Sequence, residues 1–328
     1  MSVIFFKRNS GGSIAILSLW VIMILAFLAI GLAQGVQQKI AVCEHLLSRS
    51  AVRAISESAV KKLISDIQES PALLGNIATG NEWYIGRLEK SEKFSMGEGS
   101  ADIIITDENS KINLNKANTY VLANLFYFTA HLDTERANEL ANAVADFKDK
   151  DDFVTGEFGG GSEKGTYQQA GLGYAPKNSD FEFAEELLLV KGMTKEIYSL
   201  VRNYITIYGD GRINVNTCQK ETLMALGLLP SLAEKIVSVK NGQGLKVKPA
   251  DGFVFKDLSK MWMDLSLYYP LSEEEKVSLM HAVAKNELCT VSDHFRMNGR
   301  CRMFHRNFSG RFICVYGLRE GIKYWAET

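Results

Sequence analysis

The chain is short of proline, with five among 328 residues, and charged residues make up only 23%. Together with 46% hydrophobic residues, this excludes a disordered chain. Neither sign of charge is in excess, since 37 Lys and Arg face 38 Asp and Glu. A broadly basic nucleic-acid binder and an acidic tail protein are both excluded on that balance. Five cysteines are too few for a disulfide scaffold, and the odd number leaves one thiol unpaired within a monomer. Catalytic signatures are missing too: there is no HExxH, no GxSxG and no Walker A motif. "GLGYAP" at Gly171–Pro176 lacks the third glycine of a dinucleotide loop, and the five histidines form no evident acid–base pair. An enzyme is not expected. At 36.5 kDa the chain is long enough for about two domains.

What the chain does have is one long apolar run. No charge occurs between Arg8 and Lys39, and Ile14 to Ala33 is almost wholly apolar. Twenty helical residues rise about 30 Å, enough to cross a hydrocarbon core. Lys7 and Arg8 precede the run, which predicts a cytoplasmic N-terminus and a remainder across the membrane. Gly31-Leu32-Ala33 also resembles a small-x-small cleavage site, the alternative being a secretory signal. The run is longer than a signal's apolar core, and helical patterning continues past it. Leu46, Leu47, Val52, Ile55, Val60, Leu63 and Ile67 recur about every fourth residue, with Arg49, Arg53, Glu57, Lys61 and Lys62 between them. One helix over 13–70 is predicted, with Pro71 as its stop.

Past Pro71 the signals turn to strands. Glu82–Gly86, Lys93–Gly97 and Ser100–Asn115 are rich in β-branched or aromatic residues and separated by turn residues. From about Ala117 to Leu288 helical periodicity dominates. Strands return over Val291–Met297, Arg300–Asn307, Arg311–Leu318 and Ile322–Glu327, with Asn298-Gly299 expected to be a hairpin turn. The pattern predicts an α+β fold: a long helix on a small antiparallel sheet, and a helical domain inserted into that sheet. A phrase is doubled, "SKINLNKANTYVLANL" at Ser110–Leu125 and "GRINVNTCQKETLMALGL" at Gly211–Leu228. Asn115 and Asn216 are expected to cap helix starts.

Two kinds of site are readable. In Asp146–Glu163, D-x-x-D-x-D places Asp146, Asp149 and Asp151 close together, and Gly159–Gly161 would let Glu163 fold back onto them. Hard cations such as calcium take several carboxylates from one flexible loop. The alternative is a solvated acidic loop neutralised by Lys148 and Lys150. Cys289, His294, Cys301 and His305 have the residue types of a zinc site without a short Cys pair, and a Cys301–Cys314 disulfide is the competing reading. Glu186–Ile205 and Glu221–Gly242 look like helix–hairpin–helix units, which in DNA-binding proteins offer backbone amides to phosphate. The second hairpin, Leu226-Gly227-Leu228-Leu229, lacks its second glycine. Between Glu185 and Gly244 seven basic residues face six acidic ones, no phosphate-binding footprint.

"KRNSGG" followed by "GSIAILSLW" at Gly12–Trp20, and the doubled I-N-[LV]-N phrase, are similar to the K-type minor pseudopilins of type II secretion systems. The resemblance implies a type IV pilin-like fold divided into a prepilin leader (1–12), the anchor helix (13–70), the first part of the sheet (71–116), an inserted helical domain with helix–hairpin–helix or SAM-like units (117–288) and closing strands (289–328). It implies cleavage after Gly12, leaving Ser13 as the N-terminus. It implies a single-pass inner-membrane protein with a periplasmic body. Its partners would be I- and J-type minor pseudopilins and the major pseudopilin, with neither nucleic acid nor a small-molecule substrate. Calcium is implied at Asp146, Asp149, Asp151 and Glu163, with Tyr167 on the family's aromatic position. Phe147 and Ser162 stand where the family usually has Trp and Ala. Leu17 replaces the usual pilin glutamate, as is typical of K-type members, and with the large insertion it points to a filament tip. Leu46 and Ile55 are expected at the partner interface. The competing function is a membrane-anchored DNA-uptake protein using its hairpins.

Overall fold

The computed structural model describes residues 11–68, 90–155, 162–242, 253–305 and 308–327. The expected strand Glu82–Gly86, the glycine run Gly159–Gly161 and leader residues 1–10 lie outside them. Helix α1 runs from Gly11 to Gln68 without interruption, since no proline or cap signal breaks its 58 residues. Its first half is apolar on every side and bare, Leu17 and Phe27 among the exposed residues. Its second half is one-sided: Val52, Ile55, Ala59, Val60, Leu63 and Ile67 are buried. Charges occupy the other face, where Arg53–Glu57 (3.0 Å) and Lys62–Asp66 (2.6 Å) pair at i,i+4.

Strands β1 (Ser91–Met96) and β2 (Gly99–Asp107) follow. The chain then enters a helical unit: β3 (Ile112–Asn113), α2 (Thr119–Ala130), α3 (Thr134–Lys148), α4 (Glu163–Gln169), α5 (Lys195–Val201) and β4 (Ile205–Thr206). A second unit comprises β5 (Ile213–Asn214), α6 (Lys220–Ala225), α7 (Pro230–Lys240), α8 (Met261–Ser266), α9 (Glu273–Ala284) and β6 (Leu288–Cys289). Each unit closes by a short parallel pairing, Ile112 opposite Ile205 and Ile213 opposite Leu288. Leu122, Phe126, Leu140, Leu223, Leu232 and Ile236 fill their shared core.

The doubled phrase opens both units, and its asparagines do not cap helices as expected. The Asn115 side chain donates to Phe181 O (3.0 Å) and accepts from Phe181 N (2.8 Å). Asn216 grips Phe255 in the same way, at 2.9 and 2.8 Å. A carboxamide offers a donor and an acceptor side by side, so it can replace a strand neighbour for one residue. The cap of α2 is Asn118, which accepts from Val121 N at 2.9 Å.

The last strands, β7 (His294–Met303), β8 (Ser309–Gly317) and β9 (Gly321–Glu327), complete an antiparallel sheet in the order β1-β2-β7-β8-β9. Asn298-Gly299 is not a hairpin turn. It lies mid-strand in β7, with Gly299 opposite both Ile103 and Phe312. A Cβ on Gly299 would stand 2.1 Å from the Phe312 ring, which stacks on Trp325 at 5.4 Å. Close approach of an aromatic ring therefore accounts for this glycine. The inner face of the sheet packs Ile103, Phe295, Met297 and Cys301 against α1.

The chain leaves the sheet at Asp107, whose partner is Phe295 on the returning strand. The helical part is thus an insertion between two neighbouring strands. It begins before the expected residue 117 and ends after 288, because β3 and β6 pair inside it. A buried polar cluster marks the junction. Asp107 accepts from Ser292 Oγ, Thr217 Oγ1 (2.5 Å) and Asn109 N (2.8 Å), and burial pushes its carboxyl up to about 6. Burial would raise Glu108 as well, but Lys111 (2.5 Å) and Arg296 (2.8 Å) outweigh it and hold it down to about 2.

Candidate functional site

Three of the four expected cation ligands converge. Helix α3 starts at the Asp133 cap and ends with Asp149, whose N–H bonds Ala145 O at 3.0 Å. That places Asp146 in its last turn and Asp149 at its end. Glu163 is the first residue of α4, behind the Ser162 cap. One carboxylate oxygen from each of Asp146, Asp149 and Glu163 lies within 4.8 Å of the others. Asp146 Oδ1 accepts from Thr155 N at 2.9 Å. Asp149 Oδ1 and both Glu163 oxygens are buried and meet no hydrogen-bond donor. Glu163 is fully buried, and burial, then Asp149 and Asp146, push its carboxyl up to about 8. Such a group either keeps its proton and shares it with Asp149 or gives it up to a cation. The orphaned oxygens and the all-oxygen donor set fit a hard cation of the calcium type.

Asp151, the fourth expected ligand, is not among the oxygens that meet within 4.8 Å, although its charge still acts on Asp146, Asp149 and Glu163. Its Oδ1 accepts from Phe153 N at 2.9 Å, two residues on, so the carboxylate turns its own loop. The sequence reading missed Asp152, which closes the loop. It accepts from Ser162 Oγ at 2.8 Å and Lys164 N at 3.1 Å, beside the Phe153–Ser162 bridge. Asn178 was missed as well; it tethers Asp151 O at 2.6 Å and sits at φ 51. Asparagine's tolerance of left-handed backbone is the one sequence signal that pointed there. Lys148 makes no hydrogen bond to the acids, because its ammonium donates to Leu114 O and Ala117 O at 2.9 Å, although its charge is felt by Asp149. Below the site, Phe147 stacks on Phe181 at 5.2 Å, and the Tyr167 hydroxyl accepts from Lys191 N at 3.1 Å.

The second set of candidate ligands does not assemble. Cys301 lies in the sheet core, His305 is exposed beyond the end of β7, and His294 bonds Asp293 at 2.7 Å. All five cysteines are free thiols. Register separates Cys301 from Cys314, since Cys301 faces Gly310 and Cys314 faces Met297. At the second hairpin, Gly227 has φ 92 and would bring a Cβ within 2.9 Å of the Tyr120 hydroxyl. The amides of Gly227 and Leu228 bond Met224 O and Leu223 O, so the turn spends its donors on its own helix end.

Of the expected interface residues, Leu17 and Leu46 are exposed, at 68% and 58%. Ile55 is not available: it is 8% exposed and packed under the sheet beside Gly99. The apolar stripe from Val52 onward binds its own sheet, which needs a cover for its apolar face. Helix α1 from Ile14 is long and apolar enough to cross a membrane, with an 18-residue window of mean hydropathy 2.8 and none of that window buried.

The chain thus combines a bare apolar half-helix, long enough for a single-pass membrane anchor, with an amphipathic half that packs on an antiparallel sheet. Residues 106–210 match the family described as type II secretion system protein K, first domain. That segment, about a third of the chain, is similar to the K-type components of type II secretion. A chain in the crystal structure of the GspK-GspI-GspJ complex from the type 2 secretion system of enterotoxigenic Escherichia coli has a similar fold. It is 16% identical, with a TM-score of 0.61, over 89% of this chain and 99% of that one. No curated protein matches the chain by sequence.

Proposed function

We propose that this chain is a minor pseudopilin that sits at the tip of a type II secretion pseudopilus and starts or caps its assembly for export across the outer membrane. The observation that carries the reading is the insertion between neighbouring strands β2 and β7, a second hydrophobic core built beside the sheet. Copies stacked by a short helical rise would have to clear that bulk, whereas a subunit at the end need not. Leu17 supports the same place, because an intramembrane carboxylate is costly without a partner and this chain has none at that position. Partners on this reading are I- and J-type minor pseudopilins, as in the solved complex with a similar fold, and the major pseudopilin below them. The chain is cut after Gly12, and Ser13 begins an anchor that leaves the body in the periplasm. Asp146, Asp149 and Glu163 hold calcium, which supplies the positive charge their oxygens lack and fixes the loop between α3 and α4. The paired helices of the insertion serve as packing modules. Counting copies per purified filament tests the tip: one or a few at an end is the expected result, and many along the length would defeat it.

A further inference from the structure

The outer face of the sheet, turned away from α1, carries a second feature. Its distal part is covered where Arg296 pairs with Glu108 and Tyr324 meets Phe183 at 6.3 Å. Among the described residues its other end is open and forms a depression of about 790 Å³. Four side chains cross that floor in one register row. Lys93 faces Asp102, Asp102 faces Arg300, and Arg300 faces Arg311. The lone carboxylate of the row, Asp102, is taken by Arg302 at 3.1 Å. Lys93, Arg300 and Arg311 are exposed and, among the described residues, have no ion pair. Like charges directly opposite one another weaken a sheet. Exposed Ile104 and half-buried Ile313 lie beside them.

We infer that this open end of the sheet is a docking surface for a carboxylate-rich segment of another protein. Charge complementarity selects an anion, and a floor of arginine beside isoleucine has the composition of protein interfaces. Membrane headgroups are a poorer match by position. Val52, which touches Gly310 at this end of the sheet, lies nineteen residues beyond Ala33, about 28 Å along a helix. The surface is separate from the calcium loop and does not depend on a place at the tip.

The probe is a fluorescent peptide of alternating glutamate and valine, titrated onto the full chain in nanodiscs of zwitterionic lipid. Saturable binding is expected, weakening about tenfold between roughly 50 and 300 mM salt. Arg300→Ser with Arg311→Ser should weaken it at least about fivefold. Lys195→Ser with Lys220→Ser, which removes two exposed cations from the insertion, should leave affinity unchanged. Arg311→Glu should abolish binding and raise the melting temperature, because it places a carboxylate opposite Arg300. Equal losses in both double variants would show only general charge attraction and overturn the proposal. So would an Arg300/Arg311 variant that binds normally, or displacement of the peptide by phosphatidylglycerol vesicles but not by excess unlabelled peptide.

Discussion

Glu163 is a carboxyl whose charge is disfavoured by the fold. Its folded value of about 8 lies above the ordinary 4.5, so between those values the unfolded chain has lost a proton that the folded chain keeps. Without a cation, stability from this group therefore falls as pH rises from about 4.5 to about 8. Asp107, raised to about 6, contributes in the same direction, so the difference between wild type and variant isolates Glu163. Melting curves without metal should show a shallower pH slope for Glu163→Gln, and a higher melting temperature than wild type at pH 8. Calcium should raise the melting temperature of the wild type and leave that of the variant nearly unmoved. A response to calcium that survives both Glu163→Gln and Asp149→Ala would remove these residues from the site. Asn216 gives a second expectation at this scale. Its side chain hydrogen-bonds both Phe255 N and Phe255 O in a buried setting, so Asn216→Ala should cost about 2–4 kcal/mol in denaturant unfolding.

Helix α1 has two jobs along its length, and substitutions divide accordingly. Ile55 lies among Val52, Ala59 and the sheet residues Ala101 and Cys301, so an arginine there would bury an unpaired charge. Ile55→Arg should fail to fold, read as loss of a cooperative thermal transition. Leu46 is exposed and belongs to no core, so Leu46→Arg should keep the wild-type transition. On the proposed function the same variant should lose co-purification with minor pseudopilins. Retained co-purification would move the interface elsewhere on the chain.

For the whole molecule, the bare apolar half and the half that packs on the sheet are one continuous helix, Gly11–Gln68. Mass spectrometry of the mature protein from membranes should find Ser13 as the first residue. A chain beginning at Gln34 would make the apolar run a cleaved secretory signal, leaving nothing in the membrane to recruit a filament partner.

Local chemistry was enough for several features. The length and apolarity of Ile14–Ala33, the one-sided stripe after it, the start of β2, the edges of β8 and β9, and the proximity of Asp146 to Asp149 all follow from residues near in sequence. Periodicity and turn chemistry are short-range effects, and they are legible wherever neighbours in the chain are neighbours in space. Tertiary structure decided the rest. Asn298-Gly299 has the local chemistry of a turn, but Phe312 lying over the glycine keeps it in a strand. Asn115 and Asn216 look like caps until Phe181 and Phe255, 66 and 39 residues away, arrive to be gripped. Ile55 reads as a sticky face until its own sheet covers it. Asp151 has a ligand's spacing, but one of its oxygens is taken by Phe153 N, while Glu163 is delivered by a helix start whose position depends on Asp152. In each case the deciding contact joins residues that the chain brings together only on folding, and no local pattern encodes which distant group will fill a given space.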